Sequence, residues 1–377
     1  MERGNRTQRH LDFWAGIPLV VLAGSVNGIR RIAMPSVDVG KSRRVGVICL
    51  GAIGDLLLAS SLLDGLRQAL PESIIEVVSS KANAAVRDLL PRDFRMVSFG
   101  IRDITGMVRH VRSARYDILF DVGQWPRISA LIAAVSGAGK TVGFATPGQY
   151  RHYAYDVAVP HCNERHEVEN FLALGRALFP DLTGKPCIVV PDAPSSGCPS
   201  LPESNFVFCH MWPSGLLSYL KEWRQDSWAE LARTLLNAGY VPVFTGGAQD
   251  AAATDAFVKK YGLGPEYGGL HAFSVAGKMA FPDMAFHLRR AAAVVSVNTG
   301  TMHLAAICGA PTVGLHGPTN PLRWGPVGQA TISLLPQKGI CGYLNLGFEY
   351  PPNAEAVLQH MSVREILLAL RSLGLCV

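Results

Sequence analysis

Asp55 is the residue that its neighbours best equip for chemistry. It closes the run Gly51-Ala52-Ile53-Gly54-Asp55. Before that run lie Val45, Val47, Ile48 and Leu50, an apolar stretch of strand type. After it, Leu58, Leu62, Leu63, Leu66 and Leu70 recur at helical spacing until Pro71. Strand, glycine turn and helix make the front half of a mononucleotide-binding unit. Gly51 and Gly54 keep side chains out of the turn. A carboxylate at that junction can take a proton from a hydroxyl as a general base. It can equally cap the helix, and one residue can do both.

Three further constellations sit in the second half of the chain. The first is Asn298-Thr299-Gly300-Thr301-Met302-His303, between an apolar strand and a helix. Small and hydroxyl residues opening a helix leave its first N–H groups pointing outward, which suits a diphosphate. The plain alternative is an N-cap made by Asn298 or Thr299. The next loop, His316-Gly317-Pro318-Thr319-Asn320-Pro321, leaves the following strand and would bring Gly317 and Thr319 alongside. The second constellation holds Ser214, Gly215, Ser218, Lys221 and Trp223, ahead of a helix from Ser227. A lysine there can neutralise phosphate, or simply be solvated. In the third, Gly246-Gly247-Ala248-Gln249-Asp250, the glycines let a ligand approach the backbone. Asp250 would accept from ribose hydroxyls or cap a helix.

These residues need a frame, and the chain reads as alternating strand and helix. Strands are expected at 74–78, 96–99, 118–121 and 141–144, with helices at 82–90, 104–112, 128–135 and 167–179. Residues 191–202, PDAPSSGCPSLP, are dense in Pro, Ser and Gly and read as a linker. Strands then follow at 206–209, 241–245, 294–297 and 312–315, with helices at 227–238, 251–261, 281–290 and 302–308. The expected organisation is a leader (1–44), a first α/β domain (45–190), a linker (191–204) and a second α/β domain (205–335). A C-terminal segment (336–377) carries a helix at 363–373, expected to pack across the domain junction. Two doubly wound halves would present their strand carboxyl ends to a central cleft.

At 377 residues, with 49% hydrophobic and 17% charged residues, the chain suits two globular cores. The formal charge of +6 is concentrated at the front. Residues 1–44 hold eight Lys or Arg against three acids (Glu2, Asp12, Asp38), a net +5. That distribution argues against a protein-wide nucleic-acid surface. The eight cysteines have no C-x-x-C spacing, which fits reduced thiols better than disulfides or zinc. The leader's apolar run, FWAGIPLVVLAG, is too short to span a bilayer. It reads as an interfacial segment on an anionic membrane, an extra packed helix, or a signal peptide.

Two motifs are set aside. Gly137-Ala138-Gly139-Lys140-Thr141 has the tail of a P-loop, but Ala134 stands where the first glycine belongs and a helical run precedes it. His161, Glu164, His166 and Glu167 lack an H-E-x-x-H spacing and read as a solvated helix start.

Taken together and in order, residues 51–55 with their helix, Lys221-Glu222-Trp223, Thr245-Gly246-Gly247, and residues 298–304 followed by 317–321 resemble glycosyltransferase family 9, the lipopolysaccharide heptosyltransferases. The resemblance runs over about residues 45–335 and implies a GT-B fold of two Rossmann-like domains. It implies an inverting, metal-independent transfer from a nucleotide sugar, usually ADP-heptose, to a lipopolysaccharide core acceptor. No bound cofactor is implied, only the nucleotide-sugar co-substrate. The expected partners are that donor, a lipid-linked glycan acceptor and an anionic membrane surface met by residues 1–44. The expected location is cytoplasmic, held peripherally at the inner face of the membrane.

On this chain Asp55 matches the family's base and Lys221 a phosphate-contacting lysine. Thr299, Gly300 and Thr301 match the diphosphate-binding helix start, and His303 a motif histidine near the donor. Ser214, Gly246, Gly247, Asp250, Asn298, Gly317 and Thr319 fall on donor loops, and Gly51 and Gly54 on the acceptor side. Two positions depart from the pattern, since Asn298 and Asn320 stand where the family usually has Asp. They keep two alternatives open: a UDP- or GDP-sugar donor, and a non-catalytic membrane-associated binding module of the same fold.

Overall fold

The first unit begins with helix α1 (Gly16–Ile32) and then the strand the sequence anticipates, β1 (Arg44–Cys49), five of whose six residues are buried. Helix α2 (Ile53–Ala69) follows, then β2 (Ile74–Ser80), β3 (Phe94–Phe99), α3 (Ile104–Ala114), β4 (Ile118–Asp121) and α4 (Arg127–Val135). Strands β5 (Lys140–Ala145) and β6 (Val157–Pro160) and helix α5 (Glu167–Arg176) complete it. The structure is a computed structural model that describes His10, residues 12–32, 38–202 and 205–377. Arg3, Arg6 and Arg9 of the basic leader, and residues 203–204 of the expected linker, lie outside the described residues.

All six strands are parallel, in the order β3-β2-β1-β4-β5-β6. Val45 pairs with Ile75 on one side and Ile118 on the other. A parallel sheet is covered on both faces, which is why its strands read as unbroken apolar runs. Ile48, Val78 and Leu119 pack with Met107, Val111 and Ile132 on one face. Strand order reverses between β1 and β4, so the crevice above their carboxyl ends is a topological switch point.

The second unit repeats this plan. It contains β7 (Phe206–His210), α6 (Gln225–Asn237), β8 (Val241–Thr245), α7 (Ala251–Lys260), β9 (Phe273–Ser274) and α8 (Phe281–Leu288). After these come β10 (Ala293–Val297), α9 (Gly300–Ile307), β11 (Thr312–Leu315), α10 (Pro321–Trp324), β12 (Thr331–Leu334) and α11 (Val363–Ser372). The parallel order is β12-β11-β10-β7-β8-β9, the same winding, with its switch point between β7 and β10. Trp228, Leu231, Leu235, Phe244, Val295 and Val313 form its core.

Several expectations change. The helix expected at 82–90 is a 3-10 turn, Ala84–Leu89. The buried amide of Asn83 donates to the Cys49 carbonyl at 2.9 Å and ties the segment to the end of β1. Strands β6, β9 and β12 were not anticipated. They are short edge strands of two to four residues. The units divide at Val189/Val190. The Pro/Ser-rich segment is fastened to the second of them: Ser195 donates through both its N–H and hydroxyl to Asp283 on α8, each at 2.7 Å. Helix α11, expected at the junction, buries Val363, Ile366, Ala369 and Leu370 in the second unit's own core.

Of the three readings of the leader, the structure displays the packed helix. Val20 on α1 is fully buried against Ala130 and Ala134 of α4 and Ala154. Asp12 accepts from the Arg127 backbone N–H at 2.8 Å and pairs with its guanidinium at 2.6 Å, so a leader residue caps α4.

Candidate functional site

In the first unit Asp55 is the third residue of α2, buried at the carboxyl end of β1. Its Oδ2 accepts from the Ala52 N–H at 2.5 Å, closing the turn as an N-cap would. Its Oδ1 lies 3.5 Å from the Gln124 amide nitrogen. Gln124 comes from the loop after β4, so the two strands flanking the switch point both contribute to this corner. Gly51 has a sharper reason than the sequence suggests. A Cβ there would stand 2.5 Å from Asp55 Oδ2, so the glycine makes room for the carboxylate itself. Gly54 lies buried in the first turn of α2 beside it.

The Gln124 loop rests on a buried network of which the sequence indicates only the strand at 118–121. Asp121, at the end of β4, accepts from Arg151 and from the Tyr155 hydroxyl, each at 2.6 Å, and from the Gly123 N–H at 2.9 Å. Arg151 also donates to the Pro126 carbonyl and to Ser129. Burial pushes the Tyr155 hydroxyl well above the usual tyrosine range, so it stays a donor. Both charged partners are fully buried, and the pair locks the loop that carries Gln124.

In the second unit, α9 begins at the carboxyl end of β10. Thr299 is its N-cap, but the side chain makes no capping hydrogen bond and no acid lies in the first turn. The Thr299 hydroxyl is a buried oxygen without a hydrogen-bond partner. Gly300 and Thr301 therefore open a helix whose first N–H groups have no side-chain acceptor from the cap. Thr301 and His303 are buried behind them.

Asn298 turns the other way. Its amide donates to the Trp324 carbonyl at 2.8 Å and to His316 Nδ1 at 3.3 Å. Burial pushes the His316 imidazole down to about 3, so it is neutral and able to accept. Asn320 caps α10 by accepting from the Leu322 N–H at 3.0 Å, and its amide donates to Asn345 Oδ1 at 2.9 Å. Both asparagines thus use an N–H that a carboxylate lacks. Thr319 pairs in strand fashion with Leu344, and Gly317 fits against Leu358, where a Cβ would approach 3.2 Å. The irregular stretch after β12 is therefore what holds the 316–321 loop. Asn345 also accepts through its carbonyl from Arg323 at 2.6 Å and from the Trp324 indole at 2.9 Å.

Beside β10 on the sheet, the loop after β7 carries Lys221 at the end of a 3-10 turn, with Nζ 3.0 Å from the Ser214 carbonyl. The loop makes its turn at Gly215, whose φ of +95° favours glycine. Trp223 behind it is anchored by its indole N–H to the Met361 carbonyl at 2.8 Å and packs edge-on to Trp228. After β8, Asp250 Oδ2 accepts from the Gly247 N–H at 2.8 Å. Of its two anticipated roles, the turn-closing one is occupied. Gly246 lies against the Trp212 ring, where a Cβ would come to 3.0 Å. His210, at the end of β7, bonds Thr245 at 2.7 Å, and burial pushes it down to about 4.

The set-aside motifs take structural roles. Lys140 and Thr141 begin β5 and do not open a helix. The expected solvated helix start is corrected in part: His161 and Glu167 are buried and lie 3.3 Å apart, while His166 caps α5. Among the described residues no three His, Cys, Asp or Glu cluster as metal ligands would.

Residues 104–339, more than half of the chain, match the model of glycosyltransferase family 9 (heptosyltransferase). That span contains Lys221 and residues 298–303 and begins after Asp55. Over 128 residues the chain is 31% identical to lipopolysaccharide heptosyltransferase 1 of Pseudomonas aeruginosa, covering 34% of this chain and 33% of that one. The matches to the first three curated relatives span about a third of those proteins' length, 31–35%. The fold is that of E. coli ADP-heptose lipopolysaccharide heptosyltransferase II, with a TM-score of 0.67, 21% identity, and coverage of 88% of this chain and 98% of that one. It is shared equally with E. coli heptosyltransferase WaaC in its structure with ADP, with a TM-score of 0.66, 17% identity, and coverage of 88% and 100%.

Proposed function

The chain belongs to glycosyltransferase family 9 and has the GT-B fold, and from that membership we propose that it transfers a heptose from ADP-heptose to a lipid-linked lipopolysaccharide core. One observation carries this reading. Two sheets of identical winding bear opposite electrostatics at their switch points: the first helix start holds a carboxylate, Asp55, and the second, at α9, is uncapped. An uncapped helix start attracts a diphosphate, and a carboxylate repels one and can serve as a general base. The two similar frames are thus equipped for the two substrates of a transfer.

In the proposed inverting step the acceptor hydroxyl attacks the anomeric carbon and Asp55 accepts its proton. The bond from that carbon to the diphosphate oxygen breaks, and ADP leaves with the electron pair. Lys221 and the N–H groups of Gly300 and Thr301 stabilise the negative charge that accumulates on it. Gly246, Gly247, Asp250, Ser214, Gly317 and Thr319 line the nucleotide and sugar loops, and His303 supports the helix start. The inward amides of Asn298 and Asn320 support reading these positions as fold residues, with ADP retained as the nucleotide. The relatives named for lipopolysaccharide support an acceptor and workplace at a membrane surface.

Asp55→Ala should leave ADP affinity nearly intact by isothermal titration while turnover falls by about 10²–10⁴, the usual worth of a general base. Full turnover in that variant rules out the assigned base. Titration of the native protein with ADP, UDP and GDP tests the donor. Selective binding of ADP is expected, and binding of none removes the donor site altogether.

A further inference from the structure

The outer face of α1 is anomalous for a helix at a protein surface. Residues 13–29 contain no charged side chain. The inner stripe, Gly16, Val20, Ala23, Gly24 and Asn27, is the one packed on the unit. It is tight: a Cβ on Gly24 would lie 1.8 Å from the Tyr153 carbonyl oxygen. The opposite stripe should then be polar, as on other surface helices. Instead Trp14 is 73% exposed, Leu22 62%, Val26 59% and Ile29 70%. Ser25, the polar residue among them, turns its hydroxyl back to the Val21 carbonyl at 2.8 Å, so it adds little polarity to the face. Tyr153, half exposed, lies directly beneath the helix.

Charge identifies what covers this face. Residues 1–44 carry a net +5, and the side chains of Lys41, Arg43 and Arg44 beyond the helix are exposed. A second copy would bring +5 against +5 across an apolar strip, whereas an anionic lipid surface offers both the complementary charge and the apolar depth. By length and composition Asp12–Ile29 could cross a membrane, a longer apolar stretch than the 12-residue run the sequence suggests, but spanning is a poor fit here. The inner stripe is already occupied by protein, and Asp12 is held to Arg127 beside it. The helix therefore lies flat.

We propose that α1 is the seat of the protein on an anionic membrane, with Trp14, Leu22, Val26 and Ile29 immersed at the headgroup boundary. Asp12 joins it to the first residue of α4, directly after the loop whose Gln124 reaches Asp55. The seat thus holds the acceptor-side corner of the first unit at a set height over the lipid. This deepens the transferase reading, since it rests on a lipid-linked acceptor for its purpose.

The test is sedimentation of the full-length protein with vesicles, without sugar substrates. One set is phosphatidylcholine alone and the other contains one third phosphatidylglycerol, each at low and high salt. The native protein should bind the anionic vesicles, at least about tenfold more weakly at high salt or without the anionic lipid. The double variant Leu22→Asp/Ile29→Asp should lose that binding, with its unfolding temperature unchanged because neither side chain is packed. Undiminished binding by the double variant overturns the proposal, as does absence of binding by the native protein. So does an oligomer that the double variant dissociates without any effect of lipid. ADP titration of the same preparations reads the transferase assignment separately.

Discussion

At the scale of single residues, Asn298 and Asn320 carry the clearest lesson. Each stands where the resemblance leads one to expect a carboxylate, and each spends its N–H inside the fold. At Asn298 an aspartate would set an anionic oxygen against the Trp324 carbonyl, near a buried imidazole that burial keeps neutral. Leaving that carbonyl unpaired costs about 1–3 kcal/mol. Asn298→Asp should therefore lower the unfolding free energy by that amount. Asn320→Asp should cost less, because an aspartate still caps α10 through the Leu322 N–H. Equal losses in urea denaturation would contradict this assignment. Gly51 makes the same point about space: it is small to admit a carboxylate from its own turn, and no ligand needs to be invoked.

At the scale of elements, helix starts divide the labour. Helix α2 opens with an acid that closes its own turn, whereas α9 opens with a hydroxyl left out of any cap. Helix α1 is defined by two unlike stripes, one of small residues and one of large apolar ones. Its close approach depends on Gly24, because any side chain there meets the Tyr153 carbonyl. Gly24→Val should destabilise the protein by about 1–3 kcal/mol through overpacking. The strongly exposed Leu22 should tolerate Asp with little change. Thermal denaturation of the two variants reads the difference, and an innocuous Gly24→Val would show that the helix sits farther out.

For the molecule as a whole, the significant fact is that each unit has a complete parallel sheet and its own core. Such chains depart from a single two-state transition. Calorimetry should resolve two transitions, and ADP should raise the one belonging to residues 190–377. At a hundredfold excess over Kd the gain is about 2.7 kcal/mol. A shift confined to the other transition would move the nucleotide to the first unit.

Much of this was readable before any coordinates. Apolar runs of four to six residues, glycine turns and 3.6-residue periodicity reflect local backbone preferences and one-dimensional burial patterns. They were enough to place β1, β4, β8, β11 and most helices, and to single out Asp55, Lys221 and residues 298–303. Edge strands of two to four residues are too short to announce themselves, so β6, β9 and β12 emerged only with the sheets. Contacts between residues distant in the chain were also beyond reach: Gln124 with Asp55, Arg151 with Asp121, Asn298 with Trp324, Asn320 with Asn345. The same holds for the leader. Its composition alone allowed a signal, a packed helix or an interfacial segment, because an apolar run does not say which of its sides another element will cover. Tertiary packing decided that by burying Val20 and leaving Leu22 and Ile29 outside.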